Sequence, residues 1–162
     1  MKLIVAVDNR WGIGRNNDLL MRIPEDMKFF KKMTTDAVVI MGRKTLESFP
    51  GENPLPNRIN IVITSDLNYE KEGVEIAHSI DEAVKIANKY NKEIFVIGGA
   101  SIYKQMLSFC DTAYITKICK EFLDADTYFP NLNNIENWEM TYEGEPMIYN
   151  GVAFKFTTYE NK

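Results

Sequence analysis

Six short runs rich in valine, isoleucine and phenylalanine constrain this chain more than any other feature. They occupy residues 3–7, 38–41, 59–63, 74–77, 94–97 and 113–118, and several are apolar at every position. A strand without alternation has both faces covered, which is the condition of a parallel sheet sandwiched between helices. The intervening segments supply helix candidates at 24–34, 43–48, 79–90 and 100–109, with Ser79 and Glu82 spaced as a capping box. Strands alternating with helices imply crossover units and a largely parallel sheet. The ending differs. Residues 138–143 and 152–159 are strand-like, and Gly144-Glu145-Pro146 and Asn150-Gly151 carry turn signals between them. A closing antiparallel pair is therefore expected on the parallel sheet.

A length of 162 residues suits one domain spanning 1–162, with no repeat or linker to divide it. The N-terminal run is short and ends at Asp8, too short for a signal or membrane segment, so a soluble, cytoplasmic protein is expected. Net charge is −4, which attracts neither nucleic acid nor an anionic membrane. Lys28, Lys31 and Lys32 read as a solvated helix face. Cys110 and Cys119 lack neighbours at metal-ligand spacing and read as reduced structural thiols, with no metal site. His78, the one histidine, precedes the Ser79 cap and has no evident catalytic partner.

On the helix 24–34, at about 100° per residue, Ile23, Met27, Phe29, Phe30 and Met33 share one arc and Glu25, Lys28, Lys31 and Lys32 the other. Asp26 falls within the apolar arc. A carboxylate there is costly to desolvate, so either the protein supplies a cation or a ligand supplies hydrogen-bond donors.

In open parallel sheets, ligands bind beyond the carboxyl ends of strands. Gly42-Arg43-Lys44-Thr45 follows the second run and Gly98-Gly99-Ala100-Ser101 the fifth, each opening a helix, and Thr64-Ser65 follows the third. Glycines let the backbone approach a ligand, and helix starts favour phosphate. Neither a Gly-x-Gly-x-x-Gly fingerprint nor a phosphate-binding loop of the nucleotidase type occurs. Two helix-start anion sites with flanking cations suggest a dinucleotide, and Arg43 with Lys44 favours one with an extra phosphate, NADPH over NADH. The polar stretch 9–18, with Gly12 and Gly14, reads as a long loop able to open and close over a site. Arg58, behind the rigid turn 53–57, could hold a substrate carboxylate.

In this order the pieces resemble dihydrofolate reductase. The likeness runs through residues 3–7, Gly12-Ile13-Gly14 with Asn17, Ile23-Pro24-Glu25-Asp26 with Phe30, and Val39-Ile40-Met41-Gly42-Arg43-Lys44-Thr45 with Glu47-Ser48. It continues through Pro54-Leu55-Pro56 with Arg58 and Asn60, Val96-Ile97-Gly98-Gly99 with Ile102 and Tyr103, Tyr114-Ile115-Thr116, and Asp126-Thr127 with Phe129-Pro130. The resemblance implies an α/β fold with a central eight-stranded, mostly parallel sheet, an antiparallel C-terminal strand and about four helices.

It also implies NADPH-dependent reduction of 7,8-dihydrofolate, with antifolates as inhibitors and a monomer as the working form. By the same resemblance Asp26 binds the pterin with Thr116 behind it. Ile4, Val5, Met27, Phe30, Phe49 and Leu55 wall the substrate pocket, and Arg58 takes the glutamate. Ala6, Ile13, Gly14, Ile97 and Tyr103 surround nicotinamide. Asn17, Gly42, Arg43, Lys44, Thr45, Thr64, Ser65, Gly98, Gly99, Ala100, Ser101 and Ile102 serve the rest of the cofactor.

Five departures stand out from the family's common pattern. Met21 occupies a position where bacterial members commonly carry tryptophan near the catalytic carboxylate. Ala100 replaces a frequent glycine, Ser101 a frequent arginine, and Ala125 a loop glycine. The stretch 49–53 is one residue longer. Alternatives are a reductase of another pterin or of a riboflavin precursor, and a binding module without turnover.

Overall fold

The computed structural model describes all 162 residues. In chain order the strands and helices are β1 (Lys2–Val7), β2 (Gly12–Arg15), β3 (Asp18–Leu19), α1 (Pro24–Thr34), β4 (Val38–Gly42), α2 (Arg43–Glu47), β5 (Ile59–Ile63) and β6 (Val74–Ala77). There follow α3 (Ile80–Asn88), β7 (Ile94–Gly98), α4 (Ala100–Met106), β8 (Thr112–Ile118), β9 (Thr127–Tyr128), β10 (Trp138–Glu143), β11 (Met147–Tyr149) and β12 (Val152–Asn161).

The main sheet runs β10-β12-β8-β1-β7-β4-β5-β6. From β8 to β6 all pairings are parallel, whereas β12 is antiparallel to both β8 and β10. The eight-stranded, mostly parallel architecture and the antiparallel closure are those expected. A ninth strand, β11, pairs with β12 between the two turn signals. Three residues are too few for their alternation to be visible in the sequence.

Unbroken apolar runs arise because both faces of each central strand are filled. Leu3, Val38, Ile40, Ile61, Ile94 and Val96 point into one core, shared with α3, α4 and Trp138. Their chain neighbours Ile4, Val39, Met41, Val62, Phe95 and Ile97 point into the other, against Phe29, Phe30 and Met33 of α1. Each fully buried side chain of this kind contributes about 1.5–3 kcal/mol, so either face alone would leave the sheet half solvated.

The stretch 9–18 is more ordered than a polar loop. It folds into β2 and β3, which with β9 form a separate three-stranded sheet. Trp11 anchors it: the indole is buried, stacked on Phe129 at 6.1 Å and edge-on to Tyr159 at 6.0 Å. The capping box is also shifted. Glu82 N donates to Ser79 Oγ at 3.1 Å as expected, but the Glu82 carboxylate accepts from His78 N rather than Ser79 N. His78 Nδ1 lies 2.9 Å from the Thr64 carbonyl, so this nitrogen carries the hydrogen and the ring has a structural role. Both cysteines are free thiols; burial pushes Cys110 up to about 12.

Candidate active site

Pro24 begins α1 and places Glu25 and Asp26 in its first turn. Asp26 is half-buried, and Thr116 Oγ1, in the interior of β8, donates to Asp26 Oδ1 at 2.6 Å. None of the ion pairs includes Asp26. Of the two ways to accommodate this acid, the protein cation is therefore ruled out. Burial raises its carboxyl above the usual range, and the Thr116 hydroxyl offsets part of that rise. A carboxylate held in one orientation by one hydroxyl keeps acceptor capacity for a donor edge from outside.

Ile4 is buried next to Phe30, Phe49 and Leu55, which pack on the α1 side of the sheet. Met27, on the same helix, is 46% exposed, an apolar side chain without a protein neighbour to cover it. Val5 packs toward the opposite core. Met21 joins a satellite cluster with Ile23, Ile118 and Phe154, together with Ala6, Phe122, Met147, Tyr149 and Phe156. The thioether thus has a packed seat against the β11–β12 hairpin, as an adaptable side chain allows.

Arg58 is a partly buried cation without an acid. Its Nε donates to the Pro56 carbonyl at 2.9 Å and its Nη1 to Thr34 Oγ1 at 3.0 Å. Thr34 Oγ1 in turn donates to the Phe30 carbonyl at 2.8 Å, so the last turn of α1 fixes the arginine. Burial pulls the guanidinium below its ordinary value, yet it remains charged at neutral pH. The turn before it is locked by buried Asn60, whose side chain bonds both N–H and carbonyl of Leu55. Thr34 gave no signal in the sequence, and Asn60 entered only as part of the resemblance; the first holds the arginine and the second the turn before it.

Strand order places β4 and β7 side by side, which brings the two glycine loops together. A Cβ on Gly98 would lie 2.9 Å from Thr45 Oγ1, and the φ of 149° there also favours glycine. A Cβ on Gly42 would lie 3.2 Å from Ile102 Cγ1. The backbone here forms a cradle that side chains would fill, and a dinucleotide fits such a donor set. Asn17 Nδ2 donates to the Lys44 carbonyl at 2.9 Å, tying the β2–β3 segment to α2. Tyr103 is buried and its hydroxyl donates to the Ile4 carbonyl at 2.6 Å, linking α4 to β1, and burial raises its pKa steeply.

Ile13 and Gly14 lie on β2, Ile97 and Gly99 flank Gly98, and Ala100 begins α4. Thr64 and Ser65 follow β5, with Ser65 exposed. Ser101 Oγ accepts from Gln105 Nε2 at 2.8 Å, a local contact that leaves its hydroxyl hydrogen free. Arg43 is already paired, with Glu47 and Asp66. The acids concerned lie four and 23 residues away in sequence.

Two carboxylates tie the segments around this cleft. Asp8, 3% exposed, accepts from Arg10 N and Gly12 N through Oδ1, and from Phe122 N through Oδ2. Asp126 Oδ2 accepts from Asn16 N, and Asp126 N donates to the Gly14 carbonyl. The role of Asp8 escaped the sequence because its partners are backbone amides, one of them 114 residues away.

An acid without a cation on α1 and two neighbouring strand-end glycine loops are the parts that a dinucleotide-dependent oxidoreductase of the α/β class needs for a polar substrate edge and its cofactor. Comparison with known proteins narrows that class. The family described as dihydrofolate reductase matches residues 1–161. The dihydrofolate reductase of Bacillus subtilis is 38% identical over 164 aligned residues, covering 100% of this chain and 95% of the relative. That of Haemophilus influenzae is 43% identical, covering 87% of this chain and 84% of the relative. A solved structure of dihydrofolate reductase from Enterococcus faecalis, complexed with NADP(H) and RAB-propyl, is similar with a TM-score of 0.88 at 35% identity, covering 99% of this chain and 95% of that one. The chain belongs to the dihydrofolate reductase family.

Proposed function

We propose that the cleft beside α1 takes 7,8-dihydrofolate, with its pterin edge on Asp26 and its glutamate on Arg58. NADPH lies across the loops after β4, β5 and β7. The reaction is that of the family: the protein is an NADPH-dependent oxidoreductase that reduces 7,8-dihydrofolate to 5,6,7,8-tetrahydrofolate, within one-carbon metabolism, and is of the class that antifolates inhibit.

The observation that carries the site assignment is Asp26, half-buried, bonded to Thr116 and without a cation. The amidine-like edge of a pterin offers two parallel donors, which match a carboxylate in the way an arginine fork does. Thr116 positions Asp26, and Asp26 fixes the orientation of the ring. Ile4, Met27, Phe30, Phe49 and Leu55 supply the apolar walls, which explains why Met27 is uncovered by protein, while Val5, whose side chain packs toward the opposite core, adds only its backbone. Arg58, with no acid partner, meets the glutamate carboxylate.

Bound NADPH supplies a hydride from C4 of its nicotinamide. Ala6, Ile13, Gly14, Ile97 and Tyr103 shape the apolar niche in which that ring meets the substrate. Gly42 to Thr45, Thr64, Ser65, Asn17 and Gly98 to Ile102 receive the remainder. C6 of the substrate accepts the hydride and N5 a proton. Asp26 sits at the amidine edge, away from N5, so water carries that proton while the carboxylate charge favours the protonated ring. Met21 sits at the margin of this niche and controls how closely water approaches. Holding two rings in contact accounts for a large part of the acceleration.

The chain acts as one domain over 1–162, as a monomer in the cytoplasm. Two unpaired thiols suit a reducing compartment. Calorimetric titration with a 2,4-diaminopyrimidine antifolate, which presents the same donor edge, tests the assignment. Asp26→Ala should weaken binding about a hundredfold, the value of a charge-assisted pair; equal affinity would reject it.

A further inference from the structure

Arg43 is the cation assigned to the cofactor's extra phosphate, yet its donors are partly spoken for. Nε donates to Glu47 Oε2 at 3.2 Å and Nη1 to Asp66 Oδ2 at 3.1 Å, while the guanidinium lies 4.4 Å from the centre of the Tyr69 ring. Asp66 is itself held by its turn. Its Oδ1 accepts from Asn68 N at 2.9 Å, and its own N–H donates to Thr64 Oγ1 at 3.2 Å. A fixed carboxylate therefore stands among Arg43, Thr64 and Ser65, the groups meant to receive an anion.

A guanidinium has five hydrogens and binds phosphate best through a two-donor fork. Glu47 occupies Nε and so closes the Nε–Nη2 fork. The other fork, Nη1–Nη2, shares Nη1 with Asp66. Both Nη2 hydrogens and one of the two on Nη1 are unengaged, so a phosphate approaching this fork shares Nη1 with Asp66 and meets its negative charge. Asp66 is the nearer competitor, because Glu47 sits one helical turn behind Arg43 and follows its backbone.

We propose that Asp66 competes with the extra phosphate of NADPH for Arg43 and thereby sets the margin by which this protein prefers NADPH to NADH. The inference rests on the reading that Arg43 meets this phosphate. NADH lacks the group and leaves the Arg43–Asp66 pair closed. The phosphate of NADPH or NADP⁺ competes with that carboxylate for the same guanidinium, so Asp66 lowers the affinity for both and eases release of the oxidised product. In the free protein the same pair keeps Arg43 in place when no phosphate is present.

The test measures dissociation constants of NADPH, NADP⁺ and NADH, by fluorescence titration at low salt, for the wild type, Asp66→Asn, Arg43→Gln and the double variant. Asparagine keeps an acceptor for Asn68 N and removes the charge. Because the pair is exposed, Asp66→Asn should tighten NADPH and NADP⁺ by roughly two- to fivefold. The gain should shrink as salt is added, leave NADH unchanged and vanish in the Arg43→Gln background. Asp66→Ser must move affinity in the same direction. Looser or unchanged NADPH binding in Asp66→Asn, or an equal gain for NADH, overturns the proposal if Arg43→Gln still selectively weakens NADPH. If Arg43→Gln weakens NADPH and NADH equally, the phosphate assignment itself fails.

Discussion

Thr116 Oγ1 donates to Asp26 Oδ1 at 2.6 Å across 90 residues of sequence, joining the first turn of α1 to the centre of β8. The hydroxyl stabilises the charged carboxylate against burial, which acts in the opposite direction. Thr116→Val should therefore raise the Asp26 pKa further and move the pH–activity profile upward. At neutral pH, kcat/KM should fall roughly tenfold, the value of a hydrogen bond to a charged group, and Thr116→Ser should restore most of it. An unmoved pH profile would contradict the positioning role.

Stability should respond to the same carboxyl. Its folded pKa lies above the 3.8 of a free aspartate, so the folded state holds the proton more tightly. The contribution of Asp26 to stability is greatest below pH 3.8 and is lost as pH rises through the folded pKa. Asparagine has the same shape and no charge. Thermal unfolding should show Asp26→Asn melting above the wild type at pH 7 and converging with it in acid, provided both are measured without ligand.

Arg58→Leu should raise KM for dihydrofolate by roughly 10- to 100-fold, the range for a hydrogen-bonded charge, with little change in kcat. Thr34→Val removes one support of the arginine while the Pro56 carbonyl keeps the other, and should raise KM about fivefold, less than loss of the charge itself, with Thr34→Ser close to wild type. Dihydropteroate, which lacks the glutamate, should show neither effect. Steady-state kinetics with both substrates decides it.

Gly98→Ala places a Cβ 2.9 Å from Thr45 Oγ1 at a φ of 149°. The substitution should cost about 1–3 kcal/mol of stability, as strained backbone positions do. NADPH affinity should fall while dihydrofolate affinity holds, because the cradle lies on the cofactor side. Chemical denaturation and separate ligand titrations check the two halves.

Much of this architecture was legible because burial on both faces leaves runs such as 38–41 and 94–97 apolar at every step, and a misplaced acid such as Asp26 breaks a helical period visibly. Short elements were not. β3 and β11 pair with neighbouring strands but, at two and three residues, are too short to show alternation, whereas β2 depends on the distant β9 and Trp11 anchors its segment by stacking on Phe129 and Tyr159, contacts that no local pattern encodes. Asp8 and Thr34 act by binding backbone or another side chain, so their residue type alone carries no message. The Arg43–Asp66 pair was not legible because Asp66 lies beyond an intervening strand.

The central claim is that Asp26 orients a dihydropterin for reduction by NADPH. The most direct measurement follows NADPH oxidation with 7,8-dihydrofolate by absorbance, for wild type and Asp26→Asn across pH. Turnover should fall by roughly 100- to 1,000-fold at neutral pH in the variant, the scale of a lost preorganised electrostatic contact, and recover in part at low pH where the substrate is already protonated. A variant as active as the wild type at neutral pH would contradict the account.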